Sequence, residues 1–294
     1  MALPSSGPIK LSNIQTEFGG TDPVGLNEYY RGGVNVPDTR NTATIPVAER
    51  ISTNNFYGAI RRLNIPLNIT SPTYNYEVYD EAVSGTGYVA GISDVTVTVD
   101  PGVIVGSTAT NTYAMLVSSA FNPSDTVTIV NNGVIQGRGG NGGAGKLGSA
   151  TGGTGGVGGN ALYVNRPVTI ENYGSIAGGG GGGGGASGAT PDKGPTYSGG
   201  GGGGGAGYNG GTGGGGPRPG SPGTSTAGGA GGTGTSSGLN GGPGGGRGAN
   251  GAKGAATGGA NPAPGGPGGA AGYYITGNPF VTWEAAGIRQ GSVS

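Results

Sequence analysis

Glycine occupies 77 of the 294 positions, most densely between residues 137 and 272. Such a stretch has few side chains with which to build an apolar core, so any order in it must come from the main chain. An ordinary core is confined to the places where glycine thins out, roughly the first 135 and the last twenty residues.

Three arrangements compete for residues 137–272. A collagen triple helix needs glycine at every third position, because only hydrogen fits at its axis. Here the phase holds across Gly207–Gly216 and Gly242–Gly254 but breaks at Pro219 and Thr257, which excludes it. A flexible tether fits the low hydrophobicity and the serine and threonine content. The third arrangement is a lattice of short polyglycine-II helices, in which three residues per turn align the glycines along faces and let backbones approach and hydrogen-bond. A run of about twelve residues would span about 37 Å. Leu147, Val157, Leu162 and Tyr163 among the glycines, with apolar strands on both sides, favour the ordered lattice over the tether. Breaks in phase are then the loops at the helix ends, expected at 189–197, 217–222, 233–237 and 260–264, where proline stiffens the chain.

Residues 63–136 carry short alternating runs, 67–69, 74–79, 95–99 and 127–130, which predict strands with one buried face. A repeat is visible. Val127-Thr128-Ile129-Val130-Asn131-Asn132-Gly133-Val134-Ile135-Gln136-Gly137 matches Val168 to Gly178, and a looser copy runs from Val97 to Gly106. Strand, Asn/Asp corner and second strand recurring in this way predict stacked rungs of a β-solenoid. The second and third of these rungs run directly into glycine, so the glycine region is expected to grow out of the solenoid.

Residues 1–62 repeat an apolar pair followed by a short aromatic turn: Ile9 to Phe18, Val24 to Tyr30, and Ile51 to Tyr57. Ser12, Asn27 and Thr53 are the expected caps, with a glycine ending each turn shortly afterwards. The expected fold is therefore mainly β: an N-terminal module (1–62), a short β-solenoid or sandwich-like domain (63–136), a polyglycine-II domain with an inserted β rung at 161–177 (137–272), and a closing strand segment (273–294).

Chemistry is constrained by what is missing. Histidine and cysteine are both absent, which removes the commonest general base, the Ser-His and Cys-His pairs, the usual zinc sites and disulfides. Asp80 and Glu81 are placed on a strand, pointing to opposite faces, as a solvated surface rather than a glycosidase pair. Gly140 to Lys146 imitates a phosphate-binding loop, but Leu147 stands where Ser or Thr would be required. No cofactor or metal is expected. Fourteen basic residues balance fourteen acidic ones, so neither nucleic acid nor an anionic membrane meets a strong footprint. The N-terminal residues lack a secretory pattern and no apolar run approaches a spanning length. The expectation is a protein assembled in the cytoplasm of the cell that makes it, without membrane insertion.

Several spaced motifs, Gly7-Pro8-Ile9-Lys10-Leu11-Ser12, Ile14 to Gly20, Leu26 to Gly33 and Asn55 to Ala59, closely resemble the N-terminal module of tailed-bacteriophage tail fibre and tail tip proteins. The ending, Phe280 to Trp283 with Gly287 to Ser292, is similar to the closing segment of that group, and the glycine-rich half looks like the polyglycine-II domain of receptor-binding adhesins on long tail fibres. The resemblance implies a non-enzymatic virion protein whose first module attaches to other tail proteins, with Leu11, Phe18, Tyr29, Tyr30, Phe56 and Tyr57 as candidate attachment residues. It also implies a homotrimer, and loops that contact a host-surface glycan or outer-membrane protein. Tyr197, Tyr208, Arg218 and Asn261 are the candidate contact residues, offering stacking faces and hydrogen-bond donors. A purely architectural virion protein and, at greater distance, a capsule-degrading tailspike remain the alternatives.

Overall fold

The computed structural model describes all residues except 1–2, 37, 39–41, 191–195, 236–238 and 258–262. The chain divides into two compact units, one of residues 1–66, 82–96 and 121–126, the other of the remainder. The first unit thus takes in more chain than the expected 1–62 module.

In the first unit, α1 (Leu11–Phe18) and two 3-10 turns, Leu26–Glu28 and Thr53–Phe56, occupy the three predicted aromatic units. Their caps differ from expectation. The side chain three residues into each turn reaches back to the N–H before it: Asn13 Oδ1 accepts from Lys10 at 2.9 Å, Glu28 Oε1 from Gly25 at 2.8 Å, and Asn55 Oδ1 from Ser52 at 2.8 Å. Ser12, Asn27 and Thr53 therefore lie inside the turns, and the cap is this reach-back contact. Gly19, at φ +83°, ends α1. Ile14, Phe18, Tyr29, Val36, Ile45 and Phe56 are buried together, with Phe18 and Tyr29 edge-on to Phe56 at 6.0 and 6.3 Å.

The remaining strands form three sheets: β1 (Leu63–Ile69), β4 (Ser93–Val99), β7 (Thr126–Asn131), β10 (Val168–Asn172) and β13 (Val281–Ala285); β2 (Thr73–Tyr74), β5 (Ile104–Gly106), β8 (Val134–Gln136), β11 (Ser175–Ala177) and β14 (Ile288–Gln290); and β3 (Tyr76–Glu77), β6 (Met115–Val117), β9 (Leu162–Val164) and β12 (Ile275–Thr276). Each strand goes to the sheet after the one before it, so each set of three is one coil of a solenoid, and the ladders run parallel. Ile129 faces Ile170, Ile135 faces Ile176, and Met115 faces Leu162. The predicted repeat is this coil. The run 74–79 is not one strand: Asn75, at φ +49°, turns a corner after β2, and the chain passes from β3 into α2 (Val78–Val83). Asp80 and Glu81 accordingly stand exposed on a helical turn instead of a strand.

Corners between the first two sheets are held by a buried asparagine ladder. Asn131 Nδ2 donates to Asn172 Oδ1 at 2.8 Å, and Asn172 Nδ2 donates to the Ala286 carbonyl at 2.9 Å. A Cβ on Gly174 would lie 2.0 Å from the Gly133 carbonyl oxygen of the coil below, which is why the corner ends in glycine.

Between the second and third sheets the connection lengthens coil by coil, from Asn75 alone, to 107–114, to 137–161, to 178–274. The last two carry the glycine. Their segments hydrogen-bond in steps of three residues: Gly140, Gly143 and Lys146 donate to the carbonyls of Gly180, Gly183 and Ala186 at 2.9, 2.8 and 3.2 Å. Two segments have neighbours on all sides. Gly180, Gly181 and Gly182 donate in turn to Ala206, Ala249 and Gly156, and accept in turn from Gly140, Gly245 and Gly269. Gly203, Gly204 and Gly205 donate to Gly242, Ser221 and Gly140, and accept from Gly183, Gly229 and Gly211. Six neighbouring segments leave no direction into which a side chain could point, and these two segments are the uninterrupted glycine runs 178–185 and 199–205. Peripheral segments need bare backbone on their inner sides only. Gly265-Gly266-Pro267-Gly268-Gly269-Ala270 turns Pro267 and Ala270 to solvent.

Candidate functional site

Alternating segment directions sort the turns of the glycine bundle into two sets. Starting from β8 and β11, the described segments reverse direction across 147–151, between 190 and 196, across 216–219, between 235 and 239 and between 257 and 263 at the end remote from the solenoid strands, and at 207–209, 224–227 and 246–249 beside them. The described parts of the four expected loops, 189–190 with 196–197, 217–219, 234–235 and 263–264, lie at this remote end, while 191–195, 236–237 and 260–262 lie outside the described residues. The fifth member, 147–151, was missed, although its signal is the slip in glycine phase at Lys146-Leu147.

Three of the remote turns are tied to one another by contacts from backbone N–H groups to side-chain hydroxyls. Ser198 donates its N–H to Thr235 Oγ1 at 2.8 Å and accepts the Thr235 N–H at 3.0 Å; Thr257 donates its N–H to Ser187 Oγ at 3.0 Å. Ser187, Ser198 and Thr257 are all buried. Ala189 and Tyr197 exchange backbone hydrogen bonds at 3.1 and 2.8 Å, and the Gly148 N–H reaches the Tyr197 carbonyl at 3.3 Å. These contacts fix main chain and leave long side chains outward: Arg218 and Lys146 are exposed, Leu147 is 59% exposed, and Tyr197 is half-buried.

Of the four candidate contact residues, Tyr197 and Arg218 come together at this end, and Asn261 lies outside the described residues. Tyr208 does not join them. It occupies the turn 207–209 at the opposite end, where its ring lies directly on Gly106 of β5, 1.9 Å from where a Cβ would be. Remote turns and base turns alternate along the chain from residue 178 onward, and sequence gives no sign of that parity.

Tyr208 instead seats the bundle on the solenoid, together with Arg138, whose Nη1 donates to the Thr108 carbonyl at 2.6 Å, and Gln136, whose Nε2 donates to the Ser225 carbonyl at 2.7 Å. Arg247 Nε donates to the same Ser225 carbonyl at 2.8 Å, and burial lowers the pKa of this guanidinium. We expect Gly106→Ala to destabilise the chain by about 1–3 kcal/mol, the usual range for overpacking. Tyr208→Ala in the same chain should recover part of that loss, and urea unfolding of the two single variants and the double variant measures the coupling.

In the first unit, Phe18, Tyr29 and Phe56 are fully buried, so they shape the module and offer no surface to a partner. The Tyr29 hydroxyl donates to the Gly19 carbonyl at 2.7 Å, and its pKa is raised by burial first and then by Glu28 and Asp22. Leu11, Tyr30 and Tyr57 are half-buried. The Tyr57 hydroxyl donates to the Gly7 carbonyl at 2.6 Å and that of Tyr30 to the Glu49 carbonyl.

Among the described residues no cluster of acidic side chains could hold a metal ion, and no helix is long and apolar enough to cross a membrane. Gly140 to Lys146, the imitation of a phosphate-binding loop, is an ordinary segment of the bundle.

No curated protein sequence matches the chain. Among solved structures it is similar to the gp37-gp38 adhesin tip complex of the bacteriophage S16 long tail fibre, at 21% identity and a TM-score of 0.49, over 99% of this chain and 100% of that one. The family model described as phage tail fibre adhesin Gp38 matches residues 64–294, and the chain belongs to that family.

Proposed function

We propose that the five remote turns form the face with which this tail fibre adhesin contacts the host cell, and that the glycine bundle beneath them is a polyglycine-II lattice acting as a rigid mount. The observation that carries the reading is topological: every second reversal of the bundle falls at one end, where backbone and hydroxyl hydrogen bonds join neighbouring turns. Hydrogen bonding in steps of three supports the helix type, since polyglycine-II repeats every three residues. A mount held by main-chain bonds tolerates exchange of its loops, because no loop side chain is needed to fill a core. Prearranged loops also lose little entropy on binding.

On this reading the first module, through the exposed parts of Leu11, Tyr30 and Tyr57, holds the protein to another tail fibre component. The domain boundaries expected at 62, 136 and 272 become mounting module, solenoid and contact domain, with the closing strands 273–294 completing the solenoid.

Replacing the turns 147–151, 188–198, 216–219, 234–239 and 257–263 by those of a relative with another host should transfer that host range to the recipient phage. Adsorption counts on both hosts measure it, and an unchanged host range would leave the protein an architectural part of the fibre.

A further inference from the structure

Over the whole chain the charges cancel, but they are not spread evenly. The glycine segments 137–161 and 178–272 hold six basic residues, Arg138, Lys146, Lys193, Arg218, Arg247 and Lys253, against one acid, Asp192. The rest of the chain therefore carries the matching acidic surplus. The whole-chain balance had argued against any anionic partner; the distribution along the fold reverses that argument.

Position sorts these cations further. Arg138 and Arg247 sit at the base of the bundle, committed to the carbonyls of Thr108 and Ser225. Lys146 and Arg218 stand exposed at the remote end, and neither has a side-chain hydrogen bond or ion pair among the described residues. Their backbones flank a single segment: the Gly199 N–H donates to the Lys146 carbonyl and the Gly201 N–H to the Arg218 carbonyl, each at 2.7 Å. Two residues of such a segment advance about 6 Å, so the backbones that carry the two cations meet the same short stretch of it. Lys253 is exposed as well, on a segment leading to the same end.

Around them the described loop residues are mostly small: Gly148, Ser149, Ala150, Gly216 and Pro217, with exposed Leu147 and half-buried Tyr197 the large side chains. A protein epitope is normally gripped by buried aromatic anchors at a dry centre. A surface of small residues with exposed cations and few aromatic side chains suits a polar, negatively charged saccharide instead.

We propose that the remote face takes a phosphate-bearing glycan of the host envelope, with Lys146 and Arg218 as the residues that bind phosphate. This rests on the reading of the remote turns as the host-contact face and adds the chemical class of what they contact. The surplus of five positive charges on the bundle steers it toward such a polyanionic surface, and the two end cations supply charge-assisted hydrogen bonds.

The test uses the full-length chain and lipopolysaccharide purified from a strain that it binds, intact or chemically dephosphorylated, over a salt series. The double variant Lys146→Gln/Arg218→Gln should bind intact lipopolysaccharide on the order of tenfold or more weakly, with a salt slope reduced by about two. Dephosphorylation should weaken the unmodified chain to the same extent. The control Lys10→Gln/Arg50→Gln, which removes the same net charge from exposed sites on the first module, should bind as the unmodified chain does. Matching thermal melts establish that the variants are folded. Whole-cell binding of the loop-exchanged chain is measured in parallel. If binding follows the loops yet ignores dephosphorylation and the double variant, or is lost when the cells are treated with protease, the glycan proposal is overturned and the contact face stands. If it does not follow the loops, the contact face itself falls.

Discussion

Gly183→Ala should destabilise the glycine bundle by at least about 3 kcal/mol, the upper part of the overpacking range, whereas Gly215→Ala should change stability by no more than about 0.5 kcal/mol. A Cβ on Gly183 would stand 1.9 Å from the Gly242 carbonyl oxygen and 2.7 Å from that of Pro243. Both obstacles are main chain, so no rotamer can relieve the clash. Moving the segment aside would stretch the 2.8 Å bonds that Gly183 makes with Gly203 and Gly143, and those bonds stand in place of a side-chain core. At Gly215, on the outside of the bundle, nothing lies within 4 Å of the added carbon. Denaturant unfolding of the two variants makes the comparison, and amide exchange locates the damage. Equal stability of the two would show that the bundle does not hold these segments in close contact in solution.

Phe56→Ala should cost about 3–5 kcal/mol, the range for removing a buried aromatic ring. Phe56 is fully buried, and the rings of Phe18 and Tyr29 both meet it edge-on. Among the described residues the cluster around Phe56 has nine buried members, so loss of its central ring leaves little to hold α1 in place. The expected readout is loss of exchange protection at the α1 amides, with protection at Gly180 to Gly185 retained. Virions assembled with this variant should carry less of the protein if the module is its mount.

Much of this architecture can be read in particular residues. The Val127 and Val168 repeats announce the coil because each must stack its apolar row on the next, and the Asn131 and Asn172 corners repeat because a ladder amide needs a partner one coil away. Slips of glycine phase at Pro219 and Thr257 coincide with remote turns. The converse fails at Gly246 to Ala249, where the register runs unbroken across Gly242–Gly254 and the chain nevertheless reverses, with Gly248 at φ +62°. A turn that keeps the three-residue phase leaves no mark on composition. The cap positions were displaced for a related reason: a side-chain oxygen can serve its own turn or the N–H before it, and only backbone geometry chooses between them.

The sequence by itself determined that residues 137–272 could not build an ordinary side-chain core and that rungs would stack, because these follow from what a side chain can or cannot fit. Tertiary structure alone decided which turns share an end. Tyr197 and Tyr208 are both tyrosines among glycines, yet one stands at the remote end and the other under the bundle. Which end a residue reaches depends on how many times the chain has reversed before it, and that count is a property of the packed segments, not of the residues at the turn.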